Sequence, residues 1–317
     1  MITLPPDQTL PPILFKALFV QSQITPASNP ELAYTLKQPK PWFAKNHELT
    51  NPLELTWLGS ITDAEQATVS IQATSLDREI SAGDWLKYYA LTLGKQILTF
   101  QPTSTDLAQG LLQFEYSSDV WIERAHTVIH GQWLVLISGL AAKAVYHHLA
   151  STFKQIITSF RLLNPPVEPT IEPRTTYRLK PYQFRCPTRW QYQVVAKNTG
   201  VLSHPLGLVK ITVLSQINTQ AEWLEQQLDD FPQLTLQNLL HHAPLSSPNS
   251  QLPHGHLMIY QGIQSGEPKE LWLSRFKDRV HWVTVALLTP TRTLAFHSWA
   301  INKRTYGIIL ASLQEEK

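Results

Sequence analysis

The sequence has one cysteine, Cys186, in 317 residues. A single thiol closes no internal disulfide and builds no zinc site by itself. Charge is scarce as well: 16% of residues are charged and the formal net charge is +2. That near balance lacks the dense Lys/Arg field of a nucleic-acid binder, so no nucleic-acid partner is expected. The 12 glycines form neither a GxGxxG string nor a Walker-type phosphate loop. No GxSxG nucleophile elbow, HExxH string or paired-cysteine metal pattern occurs. Long apolar runs are missing too. Stretches such as Trp133–Ile137 fall far short of the roughly 20 residues a spanning helix needs, which argues against stable membrane insertion. Met1-Ile2-Thr3-Leu4-Pro5-Pro6 carries no basic, then apolar, secretory leader, which makes the cytoplasm the expected location.

What is present is apolar residues and proline. Hydrophobic residues make up 43% of the sequence, enough for packed cores and too many for a disordered segment. The length suits two domains. The 23 prolines cluster, and the clearest cluster is Pro165, Pro166, Pro169 and Pro173. Proline fixes φ and lacks a donor, so this stretch reads as an extended linker. The expected organisation is a first module over 1–164, a Pro-rich linker over 165–176 and a second module over 177–317.

The two halves resemble each other. Each opens with an aromatic-rich extended stretch ending in proline and tryptophan: Tyr34 to Pro39, Pro41 and Trp42, then Tyr182 to Pro187 and Trp190. An alternating strand follows, with Val69, Ile71 and Ala73 on one face, and later Ile211, Val213 and Ser215. Next comes a helix with a Trp-Leu pair, Trp85-Leu86 or Trp223-Leu224, capped by Ser81 or by Thr219. Three strands come after it. They are Leu111–Tyr116, Val120–Ile129 and Trp133–Ser138 in one half, and Leu257–Gln261, Glu270–Phe276 and His281–Leu287 in the other. The tight turns His130-Gly131-Gln132 and Lys277-Asp278-Arg279 mark an antiparallel meander. Each half closes with a helix, and the endings Ser159-Phe160 and Ser312-Leu313 match. The expected class is α+β: two tandem modules, each a twisted antiparallel sheet packed by helices. The stretch from His241 to Gly255 is expected to be an inserted surface loop.

The Pro–Trp lead-in, the middle helix, Gly131–Gly139 and the run from Phe153 to Phe160 together resemble the PsbP-like fold. Within it, single-module Eag-type proteins are effector chaperones of bacterial type VI secretion. The resemblance implies a non-enzymatic chaperone or adaptor of a bacterial secretion system. Such a protein binds an effector or its apolar segments, and its tandem repeat stands in for a homodimer. The alternative is a structural or accessory subunit of a secretion or envelope complex. Both readings imply a protein partner and no cofactor.

Few residues stand out as a site, and none as a catalytic one. Gln72, Gln113, Gln216 and Gln261 interrupt apolar strands or end them. They read either as the solvent side of amphipathic strands or as a partner surface that satisfies a guest's polar atoms. His241, His242, His254 and His256 read as a polar loop or as ligands of a divalent ion. His147 and His148 are adjacent on a helix and do not form an i,i+4 chelate. Cys186 reads as a small buried hydrophobe or as a reactive thiol. Trp42, Trp85, Trp133, Trp190, Trp223 and Trp282 recur at matched places and read as core. Trp57, Trp121, Trp272 and Trp299 are less matched and read as candidates for an exposed interface.

Overall fold

The computed structural model describes residues 12–26, 29–40, 42–45, 54–59, 67–167, 170–214, 220–229, 231–245, 255–277 and 281–316. By its internal contacts the protein divides into two compact units. One comprises Met1–Asp77 with Ser81–Ile171, the other Arg78–Ile80 with Glu172–Lys317.

Among the described residues the first unit contains ten strands: β1 Phe19–Ile24, β2 Tyr34–Pro39, β3 Phe43–Lys45, β4 Glu54–Gly59, β5 Thr68–Ser75, β6 Gln96–Pro102, β7 Leu107–Tyr116, β8 Asp119–His130, β9 Trp133–Ala142 and β10 Arg161–Leu162. Its helices are α1 Pro12–Leu18, α2 Ala82–Thr92 and α3 Lys143–Ser159. The second unit repeats the series with β11 Arg174–Leu179, β12 Tyr182–Pro187, β13 Gln191–Ala196, β14 Thr199–His204, β15 Gly207–Leu214, β16 Leu234–Leu245, β17 Gly255–Gln264, β18 Glu267–Lys277, β19 Trp282–Pro290 and β20 Gln314–Glu315. Its helices are α4 Gln220–Leu228 and α5 Phe296–Ser312. Strand β11 begins within the proline-rich stretch.

The sheet orders are the same in both units. The large sheets run β3-β4-β5-β9-β8-β7-β6 and β13-β14-β15-β19-β18-β17-β16, and the small ones β1-β2-β10 and β11-β12-β20. Each label in the second unit is ten above its counterpart in the first. Every ladder is antiparallel. The protein is thus α+β with a repeated module. The expected meander gains a fourth strand at its far edge, β6 or β16.

Alternation along the strands assigns their faces. Val69, Ile71, Val135 and Ile137 join Leu149, Phe153 and Ile156 of α3 in one core. Leu134, Leu136, Ala125 and Leu112 join Leu86 and Ala90 of α2 in a second core on the opposite face. Tyr34, Leu36 and Phe160 bring the small sheet onto the far side of α3. The first unit is therefore layered as small sheet, α3, large sheet, α2. In the second unit α4 covers one face, with Trp223 against Leu271, Leu273 and Ala286. The other face meets α5, where Tyr306 donates to the Val285 carbonyl at 2.9 Å.

Local signals explain the ends. Ser81 accepts from the Asp84 amide at 3.1 Å, the N-cap its sequence position predicts. Gly131 turns the β8–β9 hairpin at φ 62°, a left-handed conformation that glycine adopts without strain. The matched Ser159 and Ser312 do the same job in each unit. Ser159 accepts from the Lys37 amide of β2 at 2.8 Å, and Ser312 from the Arg185 amide of β12 at 2.8 Å. Each also donates back to its own helix, at the Ile156 and Ile308 carbonyls. One hydroxyl thereby joins the last helical turn to the small sheet. Pro39 and Pro187 likewise accept from the Trp42 and Trp190 amides, turning the backbone after β2 and β12.

One expectation needs correcting. His241–Leu245 belong to β16, not to a surface loop, because this stretch continues the ladder with β17; residues 246–254 lie outside the described residues. Among the described residues, no helix is long and apolar enough to cross a membrane.

Gly139 offers a test of the packing between α3 and its sheet. A Cβ there would stand 2.7 Å from the ring of Phe153, which is fully buried. Gly139→Ala is expected to lower stability by about 1–3 kcal/mol, the usual range for overpacking, read by urea denaturation.

Candidate functional site

The glutamines do not converge. Gln72 pairs with Leu136 and so lies on the α2 face of the first sheet. Gln113 pairs with Ile122 on the α3 face, where its side-chain oxygen accepts from Lys143 Nζ at 3.2 Å. Gln261 sits half-buried in β17 opposite Glu270, in the second unit. Gln216 lies outside the described residues. Two of the four therefore occupy opposite faces of one sheet.

Histidine and cysteine supply little chemistry. The His147 and His148 rings are 3.6 Å apart, and those of His242 and His256 are 5.6 Å apart across β16 and β17. Among the described residues, no three His, Cys, Asp or Glu side chains gather as a metal site; His254 is outside them. Cys186 is fully buried, and burial, then the Glu172 charge, push its thiol well above the usual range. A thiol held in that state is a poor nucleophile.

Buried carboxylates form three clusters, each with its own donors. Glu270 accepts from the indole N–H of Trp272 at 2.9 Å and of Trp299 at 2.8 Å, and from the Arg292 amide at 3.2 Å. Both tryptophans are 8% exposed. This corrects their reading as candidates for an exposed interface: a buried carboxylate needs donors, and the two indoles supply them from within the core. Trp121 is half-buried, and the side chain of Trp57 is outside what is described. Of the six matched tryptophans, Trp42, Trp190 and Trp223 are buried, whereas Trp85, Trp133 and Trp282 are half-buried.

In the first unit Glu123 accepts from Lys95, Tyr89 and Ser138 on the α2 face. Burial, then the Glu123 charge, push the Tyr89 hydroxyl far up. In the second unit Arg174 grips Glu79 Oε1 through Nε at 3.2 Å and Nη2 at 2.7 Å, and Glu172 accepts from the Glu79 amide at 2.9 Å. No single motif announces these clusters. The only sequence signal for the first is an acid set into the apolar strand Glu270-Leu271-Trp272-Leu273.

The sheet edges carry a different signal. Strand β16 ends the second large sheet, and among the described residues it pairs only with β17. Its sequence, LTLQNLLHHAPL, contains no Asp, Glu, Lys or Arg. Leu239 is 53% and Leu240 51% exposed. The opposite edge, β13, is also uncharged and exposes Val194 and Val195, and β6 ends the first large sheet with the uncharged QILTFQP. Edge strands ordinarily carry charge, above all lysine, which blocks pairing with another polypeptide. Three of these four edges lack that protection; β3 has Lys45.

No protein-family model matches the sequence, and no curated protein sequence matches it. Cyanobacterial PsbP (CyanoP) from Synechocystis sp. PCC 6803 aligns over 46% of this protein and 94% of its own length, at 11% identity and a TM-score of 0.37. LpqN, involved in cell envelope biogenesis of Mycobacterium tuberculosis, aligns over 49% and 97%, at 11% identity and a TM-score of 0.35. The type VI secretion immunity protein TplEi from Pseudomonas aeruginosa aligns over 94% and 97%, at 12% identity and a TM-score of 0.26. Scores this low place the protein in no family, and its class rests on its own strand order.

Two predictions test the buried polar groups. Trp299→Phe keeps an aromatic ring but removes the N–H that donates to Glu270, and is expected to cost about 1–3 kcal/mol in urea unfolding. His126 is 8% exposed, and burial, then Arg161, pull its pKa from 6.5 to about 4. Between those values the unfolded state binds the proton and the folded state does not. Stability therefore falls as pH drops from 6.5 to 4. His126→Leu is expected to flatten that part of the stability–pH curve, by no more than about 3 kcal/mol.

Proposed function

We propose that this protein is a non-enzymatic protein-binding adaptor or chaperone that holds an extended, apolar segment of a partner along β16. One observation carries the reading: the uncharged, twelve-residue edge strand with Leu239 and Leu240 exposed at its centre. An added strand draws affinity from main-chain hydrogen bonds, whatever its sequence, and selectivity from the side chains it meets. Leu239 and Leu240 would favour an apolar guest. The donor-saturated carboxylates and buried thiol support binding over chemistry.

The partner class we favour is a secreted effector delivered to a bacterial secretion system, as the resemblance to Eag-type chaperones implies. The alternative, a structural or accessory subunit of a secretion or envelope complex, would hold folded partners through exposed aromatics and the inserted loop. The burial of Trp272 and Trp299 removes two of those contacts.

The test is an affinity capture from native cells with the wild-type protein and a Leu239→Lys/Leu240→Lys variant, followed by mass spectrometry. The expected result is one dominant protein with apolar segments on the wild type. Its recovery should fall roughly tenfold or more on the variant, with an unchanged melting temperature. Equal recovery on both would sink the edge reading. Several machine components at fixed ratios on both would favour the structural subunit.

A further inference from the structure

A second surface of the second unit, on the α4 face of its large sheet, has the makings of a ligand site. The register aligns Thr212 of β15, Thr284 of β19 and Arg275 of β18 in one row across three strands. Trp223 of α4 closes over this row and donates its indole N–H to Thr284 Oγ1 at 3.0 Å. The Arg275 guanidinium carbon lies 4.9 Å from the ring centroids of both Trp223 and Trp282. Lys277 Nζ lies 5.2 Å from the Trp282 ring. Lys210, two residues before Thr212 on the same face, is 6% exposed.

Several polar atoms of this cluster stand without a hydrogen bond among the described residues. Among the described residues, Arg275 Nε is buried with no hydrogen-bond partner, and so are Thr212 Oγ1 and both amide atoms of Gln227. Gln227 lies one turn beyond Trp223 on α4 and is 1% exposed; Thr212 is 5% exposed. Folded proteins rarely bury unpaired polar atoms, and several on one face require an explanation. Arg174 of the same unit shows the usual solution, with its guanidinium engaging the carboxylate of Glu79. Arg275 has the stacking that orients a guanidinium, and among the described residues its Nε meets no carboxylate. Burial pulls Arg275 below its ordinary pKa, and it pulls Lys210 to about 8 against the charge of Asp229.

We infer that Arg275, Lys210, Thr212 and Gln227 form an oxyanion site that takes a carboxylate group from a peptide. Two indoles over the guanidinium leave its edge for bonding. That edge presents N–H donors in one plane, matching a flat carboxylate better than a tetrahedral phosphate. The Thr212 hydroxyl and Gln227 amide supply further donors, and Lys210 and Lys277 add charge. The carboxylate comes from a peptide's C-terminus or from an acidic side group, which share this chemistry. The site does not depend on pairing at β16, so the two readings fail separately.

The experiment follows the Nε–Hε signal of Arg275 by NMR on the full-length protein, assigned by its loss in Arg275→Lys. The probes are N-acetylglycine for a C-terminus, N-acetylaspartate with its backbone carboxyl amidated for an acidic side group, and inorganic phosphate. At least one carboxylate probe is expected to shift the signal saturably, and whichever binds more tightly names the source. Thr212→Val, which is isosteric, and Lys210→Met are each expected to weaken that binding roughly fivefold or more while the signal stays observable. The inference is overturned if neither carboxylate saturates, if phosphate binds more tightly than both, or if both variants bind like the wild type.

Discussion

Each large sheet is closed by its last strand, and the rest of the module depends on that closure. After β5 the backbone leaves through α2 to the far edge, returns through β6, β7 and β8, and lays β9 beside β5. The β5–β9 register sets Val69 against Gly139, Ile71 against Ile137 and Ala73 against Val135. A slip of one residue would exchange the faces that meet α2 and α3. The second unit repeats the closure, with Ile211 of β15 opposite Val285 of β19. Such pairing joins segments distant in sequence, so its loop-closure entropy is offset only when both helices have surfaces to cover.

On this shared frame the two units place their buried charges differently. The first sets Glu123 beneath α2, held by Tyr89, Lys95 and Ser138. The second sets Glu270 beneath α5, held by two indoles. Its α4 face instead carries cations, Arg275 and Lys210, and polar atoms without partners. Strand order is thus common to both units, while the polar interiors are particular to each. The shared frame by itself fixes no function.

The edges and the interiors treat charge in opposite ways. Glu79, Glu123, Glu172 and Glu270 are buried among donors, while β6, β13 and β16 carry no carboxylate at the edges. A protein with few charged residues would guard against aggregation by placing them on edge strands. This one does not, although each of the three strands carries a register shift in its ladder.

Sequence alone determined the class, the repeat and most of the elements. Period-two alternation, the Ser81 cap and the matched Ser159 and Ser312 are local signals, and local backbone physics decides them. Faces and partners were decided only by tertiary structure. Gln72 and Gln113 look alike in sequence, yet they lie on opposite sides of one sheet because β5 and β7 enter it by different neighbours. His241 and His242 look like loop residues until β17 offers them a ladder. Trp272 and Trp299 are less matched in the other half, and only the packing of α5 on β18 brings both to Glu270. Alternation says that a strand has two faces; which element covers each is settled by contacts between residues far apart in sequence.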